Sequence, residues 1–75
     1  MKKRKITFVF INVGRNKARW IKEIKCYIDK ETIENEIIKE AKTVLMSQEV
    51  SVSEYENNKF KIFAGFHMVG SAEII

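Results

Sequence analysis

The residues able to do covalent or metal chemistry are few. The chain holds one cysteine, Cys26, and one histidine, His67. A nucleophile needs a base beside it and the base needs an orienting neighbour. Alternation along the strands assigned below places Cys26 and His67 on opposite sheet faces, so no Cys–His pair is expected. No cysteine–histidine cluster has zinc spacing. The carboxylates fall on the wet face of a helix or at strand ends. Gly14, Gly65 and Gly70 stand apart and match neither the phosphate-loop nor the dinucleotide spacing. The sequence therefore points to no catalytic residue, no metal and no cofactor, and to a non-catalytic chain.

Binding chemistry is better represented. Six of the 14 basic residues lie within the first 17 positions, with no acid among them: Lys2, Lys3, Arg4, Lys5, Arg15 and Lys17. Arg19 and Trp20 follow closely. Cations beside an aromatic can hold a phosphate backbone and stack a base. Lys2, Lys3, Arg4, Lys5, Arg15, Lys17, Arg19 and Trp20 are thus the candidate nucleic-acid contacts. The net charge of +4 is small for such a role, and neither a helix-turn-helix nor an RNA-recognition signature is present. A local basic excess also serves as a solubilising end.

These side chains need a scaffold, and 75 residues allow one domain, 1–75. Apolar residues make up 45% of the chain, enough for a packed core. A lone thiol fits a reducing compartment, so the expected location is cytoplasmic. Lys2–Lys5 before an apolar stretch has the outline of a secretory signal, but Thr7 and Asn12 interrupt the stretch and cations follow it. No apolar run approaches the ~20 residues of a membrane span. Lysine outnumbers arginine 11 to 3 and proline is absent, a bias expected of an AT-rich genome such as a low-GC bacterium or its mobile elements.

Alternation and β-branched content predict a first strand over 6–13, apolar on both faces. A Gly-Arg-Asn-Lys turn over 14–17 leads to 18–28, which fits period two and period 3.6 and is read as a strand because a hairpin turn precedes it. Asp29 is an N-cap, and Ile33, Ile37, Ile38, Ala41, Val44 and Leu45 form one stripe of a helix over about 30–47. A strand over 50–56, a turn at 57–59 and a long last strand over 60–69 complete the order. Gly65 reads as a bulge within that strand, Gly70 as its end, and 71–75 as a short extended tail.

The expected fold is α+β with order ββαββ: a four-stranded, mainly antiparallel sheet with one helix packed on one face. The β-grasp arrangement resembles this in element order. The helix-covered face would hold Phe8, Phe10, Ile24, Cys26, Val50, Val52, Phe60, Ile62 and Phe66. The other would expose Val9, Ile11, Val13, Ile21, Tyr27, Phe63 and Val69. An exposed apolar patch of that kind marks an interface. A partner protein, most simply a second copy forming a homodimer, is the expected occupant. The competing expectation is that Ala72, Ile74 and Ile75 fold back over the bare face.

Overall fold

A computed structural model describes residues 2–46 and 49–75. The elements are β1 (Arg4–Val13), β2 (Ala18–Cys26), α1 (Lys30–Ala41), β3 (Val50–Glu56), β4 (Lys59–Ala64) and β5 (His67–Ile74). The order is ββαβββ. The strands form one antiparallel sheet in the order β2-β1-β5-β4-β3. The strand reading of 18–28 agrees with β2 as far as Cys26; Tyr27 and Ile28 lie beyond its end. The four-stranded ββαββ order, and with it the β-grasp-like arrangement, gives way to five strands.

The difference starts at Gly65. With φ at +63° it occupies the first place of a two-residue turn with Phe66, where hairpins that match strand twist call for positive φ. The long last strand is therefore two strands, β4 and β5, paired to each other. Phe66, expected under the helix, sits at the turn and is fully exposed. The tail neither hangs free nor folds over the open face. It forms the second half of β5, which pairs with β1 through Phe8–Ile74 and Phe10–Ala72. Gly70 does not end a strand; it lies within β5, where an added Cβ would stand 2.8 Å from the Val13 Cα.

Helix α1 starts where expected. The Asp29 carboxylate accepts from the Thr32 backbone N–H at 2.9 Å and from the Thr32 hydroxyl at 2.8 Å, occupying a donor that the first turn leaves unpaired. The helix ends at Ala41, with Lys42 as C-cap and a turn over 42–44. It is thus shorter than the expected 30–47, whose last residue lies outside those described. Ile33, Ile37 and Ala41 are buried against the sheet. They meet Ile6, Phe8, Phe10, Val13, Cys26, Phe60, Ile62 and Ala72 in a single core. Each large side chain buried there contributes about 1.5–3 kcal/mol before conformational entropy is set against it.

Two irregularities change which residues share a face. The β1–β2 register shifts between Phe10 and Val13, and Asn12 takes φ +53°. The extra residue turns Val13 from the open side into the core, where it is fully buried. A second shift lies between Ile62 and Phe63 on β4, opposite Gly70 and Met68. Val69, the residue left over, is half-buried and packs against the core.

Candidate interface on the open sheet face

The face away from α1 can be read row by row, since directly paired residues of an antiparallel sheet point the same way. Ile21 on β2 pairs with Val9 on β1, Val9 with Glu73 on β5, and Glu73 with Lys59 on β4. The next row holds Ile11, Ser71, Lys61 and Ser53. Beyond it Phe63 pairs with Met68 and Ser51. The continuous apolar surface expected here is thus divided. β5 enters between β1 and β4 and brings Ser71 and Glu73 with it. One apolar group, Val9, Ile11 and Ile21, lies at the β2 side. A smaller one, Phe63 and Met68, lies at the far corner.

Of the seven residues expected on this face, the structure brings Val9, Ile11 and Ile21 together. Val13 and Val69 belong to the core side because of the two register shifts. Phe63 stays on the face but across Ser71 and Lys61. Tyr27 comes directly after the end of β2, with the Lys3 ammonium 5.4 Å from its ring centroid. Ile21 is the most open of the apolar group at 66% exposure, whereas Val9 and Ile11 are half-buried. Sequence reasoning left out Met68, Ser71 and Glu73. The signal that could have found them is the Gly65-Phe66 pair read as a turn, which makes 67–74 a strand of its own.

The cations do not form one cluster. Lys2–Lys5 lie where β1 begins, level with Cys26. Arg15 and Lys17 lie in the hairpin at the other end of β1, beside a groove of about 490 Å³ whose lining includes Ile11, Leu45, Met68 and Val69. Lys5 faces Lys25 across β1–β2 and reaches Glu23 at 3.9 Å. Trp20 is not a free stacking platform. Its ring stacks on Phe10 at 4.6 Å, and its indole N–H donates to Glu40 at 3.2 Å. Glu40, expected in water, is half-buried by that contact.

Cys26 ends β2 and is buried, while His67 opens β5 at the opposite end of the sheet. Burial pushes the Cys26 thiol above its ordinary range, and the nearby Glu36 and Asp29 carboxylates push the same way. Among the described residues no group of three or more histidine, cysteine or acidic side chains could hold a metal, and no helix is long and apolar enough to cross a membrane. No protein-family model, curated protein or solved structure matches the chain.

Proposed function

We propose that this chain is a non-catalytic protein-binding module that works as a homodimer, with Val9, Ile11 and Ile21 in the contact. The observation that carries the reading is the group of three apolar side chains on a face that the helix does not cover, the outermost of them 66% exposed. Water contact at these residues is relieved most simply by a second copy presenting the same surface. The polar rows through Ser71, Glu73 and Lys61 limit the contact to the β2 side of the sheet. Small contacts sit at the weak end of specific interfaces, so a weak, concentration-dependent dimer is expected.

Sedimentation velocity and native mass measurement test this. The wild-type chain is expected to dimerise, and Ile21→Lys, at a residue that is 66% exposed, to remain folded and monomeric. A wild-type chain that stays monomeric from micromolar to about millimolar concentration overturns the reading. Nucleic-acid binding has less in its favour, because the two cation sets stand at opposite ends of β1 and Trp20 is already engaged with Phe10 and Glu40.

A further inference from the structure

The strand that carries Ile21 is also an edge. β2 is nine residues long, and among the described residues only its β1 side is paired. A row of open backbone N–H and C=O groups of that length is a template for another strand. Edges are ordinarily blunted by charge, and β2 carries Arg19, Lys22, Glu23 and Lys25. What decides whether these charges repel a second β2 is the register in which the two would meet.

A sheet that continues across a two-fold axis sets same-face residues opposite one another. With the axis on Ile21, Ile21 meets the second copy's Ile21. Arg19 then faces the second copy's Glu23, and Glu23 its Arg19, on the open face. On the helix side Lys22 faces the second copy's Trp20, whose ring can accept a cation on its face. Ala18 faces the second copy's Ile24. No like charges meet between Ala18 and Ile24; beyond that span Lys25 comes level with the second copy's Lys17, which lies in the hairpin turn outside β2. One step along, Lys22 would face Lys22 and Arg19 would face Lys25. A further step sets Glu23 against Glu23. Like charges directly opposite are destabilising, so both of those registers are penalised; centring on Trp20 or Ile24 avoids like charges but pairs only 18–22 or 22–26 of β2, a shorter ladder than 18–24. The other edge, β3, has Glu54 and Glu56 and no cation of its own, and offers no such self-match.

We infer that two copies join through antiparallel pairing of their β2 edges, centred on Ile21, to make one continuous sheet. This rests on the homodimer reading above but moves the contact to the β2 edge, sharing Ile21 with it and leaving Ile11 on β1 outside. It also joins the apolar pairs of the two copies. Val9 already stands beside Ile21 in its own chain, so Val9, Ile21 and their counterparts line up as one apolar row across the axis. Arg19 and Glu23 set the register at either side of that row. The weak Lys5–Glu23 contact, 3.9 Å between largely exposed groups, does not prevent Glu23 from taking a second cation.

A charge swap and a cross-link test the register. Arg19→Glu places a carboxylate opposite Glu23 at two symmetric positions, and dimer dissociation is expected to rise about tenfold. Glu23→Arg is expected to weaken the dimer similarly, and the double variant Arg19→Glu/Glu23→Arg to bring it back to within about threefold of wild type. Circular dichroism melts confirm that each variant folds. In a Cys26→Ala background, Ile21→Cys is expected to oxidise to a covalent dimer, since directly paired Cα atoms fall within disulfide range. Ser53→Cys on the opposite edge is expected to remain uncross-linked. A dimer that ignores the charge variants and does not cross-link at position 21 overturns the edge register and leaves an open-face dimer standing. A chain that stays monomeric overturns both. A ladder of growing species in the double variant Ile21→Cys/Ser53→Cys, made in the same Cys26→Ala background, overturns the two-fold arrangement in favour of head-to-tail β2–β3 joining.

Discussion

At Gly70 the backbone of β5 passes so near β1 that a methyl group has no room. A Cβ there would lie 2.8 Å from both the Cα and a side-chain carbon of Val13. The obstacle includes backbone, which cannot swing aside as a long side chain would. Gly70→Ala is therefore expected to cost about 2 kcal/mol in urea unfolding. Cys26 gives a second residue-scale prediction. The reactive species is the thiolate, and both burial and the neighbouring acids disfavour it. With Ellman's reagent near neutral pH the native thiol is expected to react at least about a hundredfold more slowly than the same chain in guanidinium. Asp29 behaves in the opposite sense: hydrogen bonds from Thr32, the backbone one foremost, hold its carboxyl below the ordinary range. A group whose folded-state pKa is depressed stabilises above its unfolded value, and the benefit fades as pH falls through the folded one. Asp29→Ala is expected to lower the melting temperature at pH 7, and its gap from wild type to narrow as pH falls below about 4. The cap and the buried thiol were legible in the sequence because each depends on neighbours close in the chain or on simple alternation. The tight approach at Gly70 was not, since it depends on which strand β5 comes to lie beside.

Elements were legible where their period was unambiguous and lost where a single residue broke it. Helix α1 was readable from Asp29 and the stripe of Ile33, Ile37 and Ala41. Its end was overrun because Val44 and Leu45 continue the apolar spacing, although the chain from Lys42 to Val44 is a turn. In β1 the positive φ of Asn12 moved Val13 to the core, and strict alternation has no means of registering one inserted residue. Gly65 was the costliest ambiguity. The same glycine serves a bulge or a turn, and the flanking Phe63 and Phe66 suggested an unbroken strand. The two roles differ in consequence. As a turn residue at φ +63°, Gly65→Ala forces a side chain into the left-handed region, with an expected loss of about 1 kcal/mol. Phe66 beside it is wholly exposed, so Phe66→Ser is expected to stay within about 0.5 kcal/mol of wild type. A strand buried under the helix would show the reverse, with the phenylalanine truncation by far the more damaging.

For the whole molecule, the place of β5 matters most. It lies at the centre of the sheet, paired on one side with β1 and on the other with β4. The hairpin β1–β2 and the hairpin β3–β4 share no ladder of their own; β5 joins them. Ala72 supplies a fully buried side chain between Phe10 and Phe60, and the Ile75 backbone N–H bonds the Thr7 carbonyl at 3.1 Å. That closure also links chain segments far apart in sequence, so it is among the contacts expected to form late and slowly. Placing β5 here also determines what the open face can bind, because Ser71 and Glu73 confine the apolar group to the β2 side. Removal of residues 67–75 should therefore abolish the fold rather than trim it. Both halves of the sheet would gain an unpaired edge, and Phe8, Phe10, Phe60 and Ile62 would each lose neighbours in the core. The truncated chain is expected to show no cooperative thermal transition and collapsed amide dispersion in a heteronuclear NMR spectrum. A four-stranded sheet with a loose tail would give a different result. It would lose little beyond 70, keep its dispersion and unfold in one step, and that outcome would refute a central β5.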